Sequence, residues 1–209
     1  MIKLVVFDFD GTLVDSKKVL FDLIVFELKN RHFKVNKLFV KDFGNRPLDD
    51  SLKILGVQEK VMPILVNKIN GDFKKYSYKV KLVKNLRKLS ELKTKKIILS
   101  NNSRYFIKEV LKVNKIDFFS EIFGAEDFDV KYNQFRKILK KYSVKPQEIV
   151  YVGDRPIDSK LARKIGCISV LISNPASWSS RDDLIKSSPD FLIKDLNEIK
   201  KIVDKLNFI

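Results

Sequence analysis

The apolar and polar positions along the chain alternate between short strand-like runs and longer helical stretches. Strands are predicted where β-branched and aromatic residues end at a turn signal, namely at 2–8 (IKLVVFD), 95–100, 121–126, 148–154, 167–173 and the first part of 189–206. Helices are predicted where apolar residues recur at i, i+3 and i+4, namely at 15–34, 36–43, 47–55, 58–78, 103–115, 131–143, 156–166 and the end of 189–206.

The order of these elements predicts the fold class. From residue 95 onward strands alternate with helices, which is typical of an α/β, Rossmann-like parallel sheet with helices on both faces. The first strand is separated from the others by about sixty residues of helical pattern. We therefore expect an inserted α-helical cap domain at 15–80 and an α/β core built from 1–14 and 81–209. A cap at this position would cover the carboxyl ends of the strands, where open α/β sheets bind ligands.

Polar side chains follow three of the predicted strands at the point where each strand ends. They are Asp8 and Asp10, then Ser100 and Asn101, then Asp154 and Asp158. In a parallel sheet these ends lie side by side at one rim, so four carboxylates would converge there. Oxygen ligands without histidine or cysteine select a hard cation, and a site that also takes waters and a phosphate suits Mg²⁺.

The charge of the chain fits an anionic substrate. The formal net charge is +16, from 42 Lys and Arg against 26 Asp and Glu. The basic residues are mostly dispersed lysine pairs, and arginine, which reads phosphate and guanine best, is scarce. This favours a small phosphorylated metabolite as partner, while a nucleic-acid end-processing or binding protein stays open as an alternative.

The rare residues exclude several kinds of site. A single cysteine, Cys167, excludes a disulfide framework and a cysteine-based metal site. A single histidine, His32, argues against a histidine-dependent triad or a zinc site. The first apolar run breaks at Asp8 and no window is apolar enough for a membrane span, so we expect a cytoplasmic protein. Both a monomer and a homodimer stay open as its oligomeric state.

Four segments, in this order, resemble the haloacid-dehalogenase superfamily of aspartate-nucleophile phosphatases. They are DFDGTLVDS, ILSNNS, a lysine before the next strand, and VGDRPIDSKLARKIG. The layout resembles the phosphoglycolate-phosphatase-like subgroup, which has a helical cap inserted after the first motif, and the resemblance covers essentially the whole chain.

The resemblance implies a role for each residue of the motifs. Asp8 would be the nucleophile that forms an aspartyl-phosphate, and Asp10 would be the general acid and base. Mg²⁺ would be held by Asp8, Asp154 and the backbone carbonyl of Asp10, with Asp158 orienting a metal-bound water. The phosphate-binding residues would be Ser100, Asn101 and Lys131.

Some of these residues also have a structural interpretation. Ser100 precedes a predicted helix and could cap it. Asp158 lies in the first turn of a helix, where an acidic side chain is favoured in any case. Lys137 and Lys140 compete with Lys131, because the expected proline does not follow Lys131.

The pair Asp8 and Asp10 also narrows the reaction. A dehalogenase needs no second carboxylate to protonate a leaving alcohol and no metal, so Asp10 favours phosphoryl transfer. The expected reaction is Mg²⁺-dependent hydrolysis of a small phosphomonoester, such as a phosphoglycolate-, nucleotide- or sugar-phosphate-like substrate. A sugar phosphomutase would use the same core residues and stays an alternative.

Substrate choice would depend on the cap. The stretch GNRPL resembles the substrate-facing loop of the subgroup, in which Gly44 would allow close backbone approach and Arg46 would bind a carboxylate or a second phosphate. An ordinary surface-loop arginine is the alternative. The loop at 174–183, which contains Trp178, would contact the cap or a partner subunit.

Overall fold

Six parallel strands form the central sheet of the computed structural model, which describes residues 1–37, 39 and 48–208. The strands of the chain are β1 (Leu4–Phe7), β2 (Val14–Asp15), β3 (Lys81–Leu82), β4 (Lys95–Leu99), β5 (Glu121–Phe123), β6 (Ile149–Gly153), β7 (Ile168–Ile172) and β8 (Phe191–Ile193). The order in the sheet is β5-β4-β1-β6-β7-β8. Every pairing within it is parallel, so the predicted α/β class is confirmed.

The first strand lies in the middle of this sheet. In register, Leu4 faces Lys95 of β4 on one side and Ile149 of β6 on the other. All four residues of β1 are buried, which explains why its sequence, LVVF, is a continuous apolar run rather than an alternating one.

Helices cover both faces of the sheet, as the sequence predicts. Among the described residues they are α1 (Lys17–Asn30), α2 (Leu48–Lys53), α3 (Met62–Lys75), α4 (Arg104–Val113), α5 (Lys131–Tyr142), α6 (Pro156–Ile165), α7 (Arg181–Lys186) and α8 (Glu198–Asn207). Alternate residues of β1 belong to two different apolar clusters. Val5 and Phe7 pack in the cluster with α4 and α8, and Leu4 and Val6 pack in the cluster with α5 and α6.

The segment between β1 and β4 is mainly helical, and α1 packs against α3 within it. The chain enters and leaves this segment through a two-stranded antiparallel ribbon, in which Val14 pairs with Leu82 and Asp15 with Lys81. The sequence predicts no strand between Val14 and Tyr78, and the presence of β2 shows that this prediction is wrong. A two-residue strand gives no periodic pattern that could reveal it.

Two further predictions concern the local structure at 36–43 and at 174–183. The helix predicted at 36–43 lies largely outside the described residues. The stretch 174–183, predicted to be a loop, contains the start of α7, whose first turn is capped by the Ser180 hydroxyl, which accepts a hydrogen bond from the Asp183 N–H. Within the described ranges, no helix is both long and apolar enough to cross a membrane.

Candidate active site

The carboxyl ends of β1, β4 and β6 meet at one rim of the sheet, because these three strands are neighbours. The rim borders a cleft of about 130 Å³. Its lining comes from the strand ends and from two helices of the inserted segment: Asp8, Asp10, Leu20, Phe73, Ser100, Asn101, Asn102, Lys131, Arg155 and Trp178. Five of the predicted site residues therefore line one cleft: Asp8, Asp10, Ser100, Asn101 and Lys131. Asp154 and Asp158 do not line it.

Three carboxylates form a buried cluster beside this cleft. Ligand oxygens of Asp8, Asp154 and Asp158 all lie within 4.8 Å of one another, and the three residues are at most 8% exposed. Burial, and then the charges of Asp158 and Asp8, raise the pKa of Asp154 well above its usual value. Burial and the charge of Asp8 raise the pKa of Asp158 as well. Such mutual repulsion in a buried place is relieved by a bound cation.

Two glycines allow these carboxylates to approach the backbone. Gly11 has φ +76°, and a Cβ built on it would lie 2.2 Å from Oδ2 of Asp154. A Cβ on Gly153 would lie 2.4 Å from the side chain of Asp158. Both positions therefore require glycine if Asp154 and Asp158 are to keep their places.

Asp10 lies apart from the cluster and is held by two polar side chains. Its Oδ1 accepts a hydrogen bond of 2.6 Å from the Ser16 hydroxyl, and its Oδ2 accepts one of 3.1 Å from Nδ2 of Asn102. Burial, with a smaller contribution from the charge of Asp8, raises the pKa of Asp10 to about 6 although the Ser16 bond opposes this shift.

Lys131 supplies a positive charge to the cluster. Its Nζ lies 3.0 Å from Oδ1 of Asp8 and 3.3 Å from the Tyr151 hydroxyl. Burial alone would lower the pKa of Lys131, but the facing carboxylates of Asp8 and Asp158 outweigh burial and raise it. Lys137 and Lys140, the competing residues, are exposed on α5 and line neither this cleft nor the groove beside it.

The two residues with a structural interpretation differ in outcome. The cap of α4 is Ser103, whose hydroxyl accepts a hydrogen bond from the Phe106 N–H, so capping does not account for Ser100. Ser100 is 1% exposed, and its hydroxyl oxygen accepts a 3.1 Å hydrogen bond from the Asn102 N–H. Asp158 does act at its helix start, because its Oδ2 accepts a 3.0 Å hydrogen bond from the Arg155 N–H.

Comparisons with known proteins identify a family. The family model of the haloacid dehalogenase-like hydrolases matches residues 5–172, which is well over half of the chain. The chain belongs to this family. This match confirms both the predicted resemblance to the haloacid-dehalogenase superfamily and the predicted hydrolase class.

Similar proteins span nearly the whole length of this haloacid dehalogenase-like hydrolase. A phosphoglycolate phosphatase of Vibrio vulnificus is 27% identical over 97% of this chain and 96% of its own. A glyceraldehyde 3-phosphate phosphatase of Pyrococcus furiosus is 27% identical over 99% and 95%, respectively. A solved haloacid dehalogenase-like hydrolase of Streptococcus pneumoniae, 21% identical, superposes with a TM-score of 0.84 over 96% of this chain and 98% of that one, and so shows the same fold.

Several residues that complete the site of this haloacid dehalogenase-like hydrolase are not predicted from its sequence. They are Thr12, Ser16, Asn102, Tyr151 and Trp178. The Thr12 hydroxyl donates to Asp154 at 3.3 Å, and the Tyr151 hydroxyl donates to Asp158 at 2.8 Å. Thr12, Ser16 and Asn102 lie within the sequence motifs quoted above. Their polar side chains next to the predicted acidic residues are the signal that could have identified them as part of the site.

Trp178 differs from the other missed residues because its backbone makes the contact. Its N–H donates to Oδ2 of Asp154 at 2.6 Å, and its carbonyl accepts a 3.3 Å hydrogen bond from Nζ of Lys17 at the start of α1. The loop at 174–183 therefore contacts the inserted segment, as expected. Gly44 and Arg46, the predicted specificity residues, lie outside the described residues.

The donor set of the cluster fits a hard divalent cation. It offers carboxylate oxygens only, and the described residues bring no histidine or cysteine into the group. A hard divalent cation prefers such oxygens and usually keeps waters and a substrate phosphate as its other ligands. Asp8, Asp154 and Asp158 are the residues that would hold it.

Proposed function

We propose that this chain is a Mg²⁺-dependent phosphatase that hydrolyses a small phosphomonoester through an aspartyl-phosphate on Asp8. The observation that carries the proposal is the convergence of Asp8, Asp154 and Asp158 within 4.8 Å, with Lys131 3.0 Å from Asp8. In this proposal Asp8 would attack the substrate, and the neighbouring carboxylates would hold the cation.

The first half-reaction would begin with attack by a carboxylate oxygen of Asp8 on the substrate phosphorus. Lys131 lies beside Asp8, so it would offset the negative charge of the nucleophile and pair with the transferring phosphoryl group. Ser100 and Asn101 line the same cleft and would hold phosphate oxygens. A bound Mg²⁺ would reduce the repulsion between the anionic nucleophile and the anionic phosphate.

Asp10 would move the proton in both half-reactions. It lines the cleft, and its hydrogen bonds from Ser16 and Asn102 fix its orientation. It would protonate the leaving alcohol oxygen first, and then accept a proton from the water that hydrolyses the aspartyl-phosphate. Asp8 would be regenerated and inorganic phosphate released.

We propose further that 15–80 is a cap and that the cleft takes a compact leaving group. Leu20 of α1 and Phe73 of α3 lie opposite the strand ends in a cleft of about 130 Å³, well below the volume of about 300 Å³ at which pockets for drug-sized ligands begin. The names of the similar proteins, phosphoglycolate phosphatase and glyceraldehyde 3-phosphate phosphatase, support a small phosphorylated metabolite as substrate.

The test is hydrolysis of an aryl phosphate by the wild type and by Asp8→Asn, each with Mg²⁺ and with EDTA. We expect phosphate release by the wild type only, and only with Mg²⁺. With a sugar phosphate in place of the aryl phosphate, free phosphate as the product separates a phosphatase from a phosphomutase, which would keep the phosphate on the sugar. Full activity of a folded Asp8→Asn protein would refute the proposal.

A further inference from the structure

A second, larger groove opens beside the cleft and shares part of its lining. Its volume is about 410 Å³, and it lies between the start of α5 and the length of α6 from Ile157 to Lys164. Groove and cleft share Asp8, Asn101, Lys131 and Arg155, whereas Asp10 lines the cleft and does not line the groove. The groove therefore reaches the proposed phosphate site but not the proposed proton donor.

The groove carries an excess of positive charge. Arg155, Lys160 and Lys164 line it, and none of them forms an ion pair within the described part of the chain. Asp129 is the opposing carboxylate outside the acidic cluster. Over the whole lining, which also includes Lys131, Asp8 and Asp158, four cations stand against three carboxylates. The three cations without an ion pair make this part of the groove attractive to an anion.

The start of α5 adds to this attraction. The helix has no side-chain cap, because its N-cap residue is Val130, which is 54% exposed and lines the groove. The N–H groups of a first turn have no partner within the helix, and the positive end of the helix dipole favours a negative ligand there.

One aromatic ring contacts one of these cations. Nζ of Lys164 lies 4.3 Å from the ring centroid of Tyr132, a geometry in which ring and ammonium attract each other. The Lys164 charge is thus kept at the groove, where it is exposed.

We propose that this groove is a second binding site for a phosphate-type dianion. The proposal rests partly on the proposed function, because the groove opens onto the residues that would hold the transferred phosphoryl group. Two sources share this chemistry: the inorganic phosphate that hydrolysis releases, and the second phosphate of a bisphosphorylated substrate. In the first case, the released phosphate would leave the site through the groove and not through the cleft, which would still hold the alcohol product.

Binding is tested without turnover by lysine acetylation with sulfo-NHS-acetate, read by peptide mass spectrometry. We expect inorganic phosphate, compared with sodium chloride at equal ionic strength, to slow acetylation of Lys160 and Lys164. The exposed lysines Lys137 and Lys140 are the internal control and should not respond. Equal labelling of Lys160 and Lys164 in both salts would overturn the proposal, whether or not the protein is an active phosphatase.

The two sources are separated by kinetics of K160Q/K164Q, with K137Q/K140Q as a control of equal charge change. If released phosphate is the ligand, inorganic phosphate inhibits the groove variant about fivefold less strongly than the control variant. If a substrate phosphate is the ligand, inhibition is equal but the groove variant loses preference for glucose 1,6-bisphosphate over glucose 6-phosphate. A groove variant that matches the control in both measurements would refute the site.

Discussion

Lys131 and Asp8 face each other at the rim of the sheet, with Nζ and Oδ1 3.0 Å apart. They come from elements that are far apart in sequence, the start of α5 and the end of β1. Their contact places the ammonium among three buried carboxylates, where it is the nearest compensating charge that the described residues supply.

The first prediction concerns the identity of this lysine. Lys131→Met should lower kcat by about a hundredfold or more, because the attacking carboxylate and the phosphoryl group both lose their positive neighbour. Lys137→Met removes the same charge from an exposed position of the same helix and should keep the wild-type rate. Steady-state kinetics with an aryl phosphate checks both, and equal losses would contradict the assignment.

The second prediction uses two glycines with the same backbone angle. Gly11 and Gly56 both have φ +76°, but a Cβ on Gly56 meets nothing within 4 Å, whereas one on Gly11 would strike Asp154. Gly56→Ala should therefore cost about 1 kcal/mol of unfolding free energy from backbone strain alone. Gly11→Ala should cost more and should also weaken Mg²⁺ binding.

Urea unfolding and the Mg²⁺-induced thermal shift measure these two effects. A Gly11→Ala protein that is as stable as Gly56→Ala, with an unchanged Mg²⁺ response, would show that the close approach of Asp154 to residue 11 does not matter.

At the scale of elements, length decided what the sequence could predict. The six strands of the sheet and helices such as α5 and α6 carry enough apolar positions to show their period. The ribbon of Val14–Asp15 with Lys81–Leu82 does not, because two residues have no period and the pairing joins parts distant in sequence. The short helix Arg181–Lys186 was hidden in the same way within a polar stretch.

The third prediction separates two serines around the start of α4. Ser103 caps the helix, so Ser103→Ala should lower the unfolding free energy by about 1 kcal/mol. Ser100 caps nothing and lines the cleft, so Ser100→Ala should mainly lower kcat/KM. Denaturant unfolding and kinetics on both variants check this, and the reverse pattern would exclude a phosphate-binding role for Ser100.

At the scale of the molecule, the site depends on the sheet and on the inserted segment together. The rim of the sheet brings the predicted motifs together, which follows from parallel strand order alone. The contacts from Ser16 to Asp10 and from Lys17 to the Trp178 carbonyl connect the start of α1 to that rim. The sequence predicts that the loop at 174–183 contacts the cap or a partner subunit, but it does not predict these individual hydrogen bonds. They depend on how the helical segment packs and, at Trp178, on backbone atoms that exist at every position.

The fourth prediction uses Cys167 as a reporter of the core. The thiol is buried in the apolar cluster between the sheet and α6, and burial raises its pKa to about 12. At about pH 8 it should not react with Ellman's reagent in the folded protein, since the thiolate is the reactive form. With rising urea it should react in the same transition that circular dichroism detects, and early reaction would show that the α6 side opens separately.

The central claim is that Asp8 carries the phosphoryl group, and chemical trapping tests it most directly. Enzyme quenched with acid during turnover and reduced with borohydride should contain homoserine at position 8, because borohydride reduces an acyl phosphate to an alcohol. Peptide mass spectrometry locates the product, and unreacted enzyme gives the background. The predicted result is homoserine at position 8 that forms only when both substrate and Mg²⁺ are present. An enzyme that turns over substrate but contains an unmodified Asp8 and another, reduced aspartate would contradict the account.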